Sequence, residues 1–149
     1  MAPPTRRDFL TTATACLLCP HTLAAVAAQN TAPITAGKLS DYSQDGVTDK
    51  YAASNGFFLI RQDNRLYATS SICTHRVTGR LVSRPKDHDL ACPKHGSLFT
   101  LQGIVTKGPA RKSLPRYAIS TNDQHDVIID TSKQFDEDHW SDPASYLPV

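Results

Sequence analysis

The chain has almost no surplus of either charge. Its 149 residues include 16 basic and 14 acidic side chains, a net charge of +2, so no bulk field suggests a nucleic-acid partner. It also lacks a run of about 20 consecutive apolar residues, the length a membrane-spanning helix needs. Its most apolar N-terminal stretch, residues 9–28, is diluted by threonine and broken at Pro20-His21. No convincing amphipathic helical period and no internal repeat can be read, which turns the expectation away from helices. The length suits one domain with a sizeable core and leaves no room for a second, catalytic one. Cysteines number four, and two of these, Cys16 and Cys19, fall in a segment expected to be removed.

That segment carries an address. Thr5-Arg6-Arg7-Asp8-Phe9-Leu10 reads as a twin-arginine export signal. Ala25-Val-Ala27 offers a small-residue cleavage site. Cleavage there leaves Cys73 and Cys92 as the thiols of the mature chain. Neither Cys16 nor Cys19 follows a good lipid-attachment box. An uncleaved signal serving as a membrane anchor is the alternative to release. The expected organisation is a signal at 1–28, a linker at 29–35, a domain at 36–131 and a C-terminal extension at 132–149.

Strand-like runs follow at the spacing of an all-β domain. Gly56-Phe-Phe-Leu-Ile-Arg61 and Arg65-Leu-Tyr-Ala-Thr-Ser70 are expected to pair across an Asp63-Asn64 turn. Asp89-Leu-Ala91 is a short strand, and Leu98-Phe99 with Gly103-Ile-Val105 a further hairpin. Residues 114–120 and 126–130 are expected to pair across a turn at Asn122-Asp123. In the extension, Phe135, Trp140 and Tyr146 alternate with acids. They are read as packing on the sheet, with a docking segment for a partner subunit as the sharper alternative. His88, His125 and His139 have no metal-like spacing and read as surface or turn residues.

Two short motifs carry the chemistry: Cys73-Thr-His75 and Cys92-Pro-Lys-His95-Gly-Ser97. Each offers one thiolate and one imidazole. A structural zinc site is the bland reading of two cysteines and two histidines, but zinc fingers pair Cys with Cys and His with His rather than alternating them. The alternating pattern matches a [2Fe–2S] site in which two cysteines hold one iron and two histidines the other. With their flanks, Ser70-Ser-Ile-Cys-Thr-His75 and Cys92-Pro-Lys-His-Gly-Ser-Leu-Phe99 resemble the two cluster loops of the Rieske iron–sulfur family. Gly108-Pro-Ala-Arg-Lys-Ser-Leu-Pro-Arg-Tyr117 is similar to that family's Pro-rich segment over the cluster. The resemblance covers roughly residues 36–131.

It implies a Rieske-type antiparallel β-sandwich with two cluster-binding hairpin loops. One [2Fe–2S] cluster would sit on Cys73, His75, Cys92 and His95, with Ser97 donating to a bridging sulfide. Respiratory relatives bridge the two loops by a disulfide whose positions match Thr78 and Lys94 here, so that bond cannot form. Phe99 stands where high-potential members carry a tyrosine. Losing that donor implies a potential below the respiratory type and above an all-cysteine ferredoxin. Exposed imidazole ligands imply a potential that falls with pH at the alkaline end.

The function expected is one-electron transfer in the periplasm, without substrate chemistry of its own. The alternative is the Rieske subunit of a quinol-oxidising, cytochrome bc-like complex, or the small subunit of a periplasmic oxidase. A self-contained ring-hydroxylating oxygenase would need a mononuclear iron site for which neither length nor spacing is present. The expected partner is a redox protein: a cytochrome, a catalytic subunit or a quinol-oxidising complex. Nine basic residues flank the motifs: Arg76, Arg80, Arg84, Lys86, Lys94, Lys107, Arg111, Lys112 and Arg116. They read as a solvated face or, alternatively, as guidance for an acidic redox partner.

Overall fold

In the computed structural model the described residues are 32–149. The export motif, the cleavage site, Cys16 and Cys19 lie outside them. The described chain is built of strands: β1 (Ile34–Lys38), β2 (Gly46–Thr48), β3 (Phe57–Gln62), β4 (Arg65–Ser70), β5 (Val82–Arg84), β6 (Asp89–Ala91), β7 (Leu98–Thr100), β8 (Val105–Lys107), β9 (Arg116–Thr121), β10 (Asp126–Phe135) and β11 (Leu147–Pro148). Three short 3-10 turns accompany them. Among the described residues, no helix is long and apolar enough to cross a membrane.

Two antiparallel sheets result. The larger runs β1-β10-β9-β4-β3-β2, with β11 added to β4. The smaller runs β5-β6-β7-β8 and carries the ligand motifs at its tips. Why the run Phe57-Phe-Leu-Ile60 is apolar throughout is now plain. Successive side chains point to opposite faces of a strand, and both faces of β3 are covered. Phe57 and Leu59 enter one core with Leu66, Ala68, Ile119, Val127 and Ile129. Phe58 and Ile60 enter a second core with Leu81, Leu90, Phe99, Leu114, Cys73 and Cys92. Each fully buried large side chain contributes about 2 kcal/mol. The second core therefore fixes the small sheet, and with it both thiols, against the large one.

The β3–β4 hairpin is as expected. Asp63 and Asn64 turn with φ of 54° and 58°, the left-handed pair of a two-residue type I′ turn. Elsewhere the bounds move. The strand expected from Gly103 begins at Val105, because Gly103 (φ 97°) turns the chain and donates its N–H to the Thr100 carbonyl at 2.9 Å. Residues 114–115 stay in a loop, and Leu114 donates to the Gly103 carbonyl at 2.8 Å. The strand expected to end at Asp130 continues to Phe135, with a register shift between Asp130 and Gln134.

The tail packs on the sheet. The Arg116 guanidinium lies 4.1 Å from the Tyr67 ring centroid and 4.2 Å from that of Trp140. Arg65 covers Tyr146 at 4.4 Å, and Val149 donates its N–H to the Asn64 carbonyl at 3.0 Å. His88, His125 and His139 are exposed, the first two in turns with positive φ.

Candidate metal centre

Three loops meet at one end of the small sheet. The first follows β4. It is closed by an Ile72–Arg80 bridge and by the Cys73 N–H donating to the Gly79 carbonyl at 2.8 Å. The second is the β6–β7 turn, closed by Cys92 N–H to the Ser97 carbonyl at 2.8 Å and Gly96 N–H to the Cys92 carbonyl at 2.9 Å. The third follows β8 and holds the Gly108-Pro-Ala segment.

Hydrogen bonds tie the loops pairwise. Lys94 Nζ donates to Thr78 Oγ1 at 3.1 Å, joining the second loop to the first. Thr74 Oγ1 donates to the Lys112 carbonyl at 2.6 Å, joining the first to the third. The Ala110 N–H donates to Ser97 Oγ at 3.2 Å, joining the third to the second. The two positions at which no disulfide can form are thus linked non-covalently.

Each candidate residue has a defined place. Cys73 and Cys92 are free thiols, each 2% exposed. They close around Gly79. A Cβ there would lie 3.0 Å from both Cys73 Cβ and Cys92 Sγ, so glycine is needed to let the two cysteines share one space. His75 is half-buried and His95 exposed. Their rings stand 5.0 Å apart at 90°. His75 Nδ1 is buried without a hydrogen-bond partner, a nitrogen left free as a metal ligand must be. Desolvation first, then the neighbouring His95 and Arg76, hold His75 below the usual imidazole pKa, which favours the neutral ring that binds metal.

Ser97 is fully buried. Its Oγ accepts from Ala110. Gly108 sits directly on it: a Cβ at Gly108 would come within 2.5 Å of Ser97 Cα. Phe99 is fully buried and offers no hydroxyl.

Among the described residues, no three His, Cys, Asp or Glu side chains converge as ligands of one ion would. Two pairs do form, thiols within and imidazoles at the edge. A diiron unit needs two protein ligands per iron, whereas structural zinc needs four on one. The donors therefore fit a [2Fe–2S] cluster. Sequence reasoning missed Thr74, Gly79 and the pairing of Thr78 with Lys94. The short Gly-x-Gly-free stretch between His75 and Arg80 gave one signal, since Gly79 is its sole glycine.

Comparison with known proteins agrees. A family model described as the Rieske [2Fe-2S] domain matches residues 32–118, more than half of the chain. The cytochrome b6-f complex iron-sulfur subunit of Chlorobaculum tepidum is 30% identical over 105 residues, covering 70% of this chain and 51% of that protein. The cytochrome b6-f complex iron-sulfur subunit 2 of Synechocystis is 28% identical over 91 residues, covering 56% of this chain and 49% of that protein. The chain thus spans about half the length of these relatives. Among solved structures, the plasma membrane Rieske protein of Synechocystis is 20% identical with a TM-score of 0.48, over 65% of this chain and 98% of that one. The matched domain and the paired thiols and imidazoles lead to one conclusion: this chain belongs to the Rieske family, whose members bind a [2Fe–2S] cluster and transfer electrons.

Proposed function

We propose that this chain is an exported one-electron carrier in which Cys73 and Cys92 hold one iron and His75 and His95 the other. The observation that carries this reading is the pair of imidazole rings 5.0 Å apart, one half-buried and one exposed, each following a buried free thiol in its own loop. When bound, the cluster accepts and releases a single electron. The residues do the rest. The thiols sit in the second core and anchor the inner side. The imidazole edges face outward, where a partner can approach. Ser97, buried beneath Gly108, accepts from Ala110 through its oxygen, so its hydroxyl proton would remain free to donate to the bound group.

The organisation proposed is a twin-arginine signal at 1–28, a linker at 29–35, the cluster domain at 36–131 and an extension at 132–149. Export in folded form suits a protein loaded with its cluster before crossing. It places the mature chain in the periplasm, anchored to the inner membrane only if the signal is retained. A second reading, a subunit of a quinol-oxidising complex, is favoured by the relatives, which are cytochrome b6-f iron-sulfur subunits.

Metal and acid-labile sulfide analysis tests the cofactor assignment: two irons and two sulfides per chain are expected, and stoichiometric zinc would refute it. Fractionation with N-terminal sequencing tests export, and a cytoplasmic protein starting at Met1 would refute that. Co-purification with a b-type cytochrome would favour the second reading.

A further inference from the structure

The rim around the two histidines is basic without exception. Residues 64–86 and 90–122 contain no Asp or Glu. These stretches supply all three loops. Arg76 and Lys94 sit in the first and second loops, and Lys107 pairs with Leu98 beside Ser97. Arg111 and Lys112 line an open cleft of about 590 Å³ together with Thr74, His75, Gly108 and Pro109. All five cations are exposed. None belongs to any of the five ion pairs formed among the described residues, which use Lys38, Arg61, Arg84 and Lys133 instead. In the first loop, between Arg76 and the Thr78 that Lys94 contacts, Val77 is 84% exposed, the most exposed large apolar side chain of the described residues.

The acidic residues of the described chain lie elsewhere, in residues 41–63, at Asp87 and Asp89 beside Arg84, and in residues 123–142. A near-neutral chain has therefore sorted its charge, leaving one end strongly positive. Cations outside any ion pair, with an exposed apolar side chain among the same loops, are what a transient acidic protein surface complements: charge steers the encounter and the apolar contact seats it.

We infer that Arg76, Lys94, Lys107, Arg111 and Lys112, on the three loops that carry His75 and His95, form with the exposed Val77 the docking surface for an acidic electron-transfer protein. The inference rests on the electron-transfer reading above and names the partner's chemistry. Docking there brings the partner against His75 and His95, the outward edge of the site. The step is a single-electron exchange in which the reduced cluster protein is oxidised and the partner is reduced.

The test uses the reduced holoprotein in stopped flow with two acceptors, an acidic blue-copper protein and a basic c-type cytochrome. Between about 0.01 M and about 1 M salt the screening length drops from roughly 30 Å to roughly 3 Å. Over that range the rate to the acidic acceptor should fall at least about tenfold, while the rate to the basic one should rise. Two double variants with equal charge change separate location from net charge. Lys107→Glu with Lys112→Glu should cut the low-salt rate to the acidic acceptor about tenfold. Lys50→Glu with Lys133→Glu should cut it far less. Calorimetric binding of the cuprous acceptor to the reduced protein should weaken with the first pair alone.

Equal effects of the two pairs, or salt-independent rates, would overturn the inference. So would adsorption to phosphatidylglycerol vesicles without any salt response toward the acidic acceptor, which would make the surface a lipid site. A wild-type protein without the cluster's visible and EPR signals sinks the electron-transfer reading and this inference together. Intact signals with salt-independent rates sink only the docking surface.

Discussion

Lys94 reaches across from the second cluster loop to Thr78 in the first, its Nζ donating to Thr78 Oγ1 at 3.1 Å and more weakly to the Thr78 carbonyl at 3.4 Å. A covalent bond would hold the loops in every conformation, whereas this contact is exposed to water and competes with it. An exposed hydrogen bond of this kind contributes about 0.5 kcal/mol. Lys94→Met should therefore lower the melting temperature by only about 2 °C. The rate of cluster loss on warming should rise more than that shift suggests, because the loops part locally before the domain unfolds. Bleaching of the visible absorption followed beside a thermal melt checks this, and parallel changes in both would refute it.

Gly79 is the tightest point between the two thiols. An alanine Cβ there meets Cys73 Cβ and Cys92 Sγ at 3.0 Å and the Arg76 carbonyl at 3.3 Å. Both cysteines must then shift by a few tenths of an ångström. Gly79→Ala should reduce iron bound per chain well below half of wild type while the sheets stay folded. Iron analysis beside far-ultraviolet circular dichroism reads both effects.

Arg116 carries its charge in an aromatic sandwich. It is 5% exposed, and its Nη2 donates to the Gln102 carbonyl at 3.2 Å. Burial pushes its pKa down to about 10, and burial likewise pushes the Tyr67 phenol up to about 12. The two ring faces at 4.1 and 4.2 Å offset part of the lost hydration. Trp140→Ala removes one face and admits water, at an expected loss of about 2 kcal/mol. Trp140→Phe should restore about half. Chemical denaturation measures this, and the cluster content should not change.

Asp126 holds the β1–β10 edge. Its carboxylate meets Lys38 Nζ at 2.7 Å and accepts from Asn122 at 3.1 Å. Lys38 first, then Asn122, hold its pKa below the ordinary carboxylate value. A carboxyl group with a depressed folded-state pKa stabilises above the unfolded value and loses that contribution as pH falls through the folded one. Asp126→Asn should therefore melt below wild type at neutral pH, and the two should converge at the acid end. A constant gap down to the lowest pH would contradict the assignment.

How much was legible in the sequence followed from how tightly chemistry restricts residue type. Ligand positions admit few side chains, so Cys73, His75, Cys92 and His95 stood out at once. The β3–β4 hairpin was equally open, because Asp63-Asn64 accepts the left-handed turn and the flanking runs are apolar or β-forming. The short strands β2 and β5 were missed. They have three residues each, and Val82 in β5 is 47% exposed, so no alternation could register. The end of β10 was missed because residues 131–134 are polar, as an exposed strand end permits. The link between Lys94 and Thr78 joins residues 16 positions apart, and no local pattern announces such a contact. Arg116 read as one more surface cation, since nothing nearby in sequence places it between Tyr67 and Trp140.

The EPR spectrum of the dithionite-reduced protein is the most direct test of cluster ligation by Cys73, His75, Cys92 and His95. Two thiolates on one iron and two imidazoles on the other should give a low average g value, with hyperfine coupling to two nitrogens that is lost in His75→Ala and His95→Ala. A spectrum with the higher average g of four-thiolate ligation and no nitrogen coupling would contradict the account.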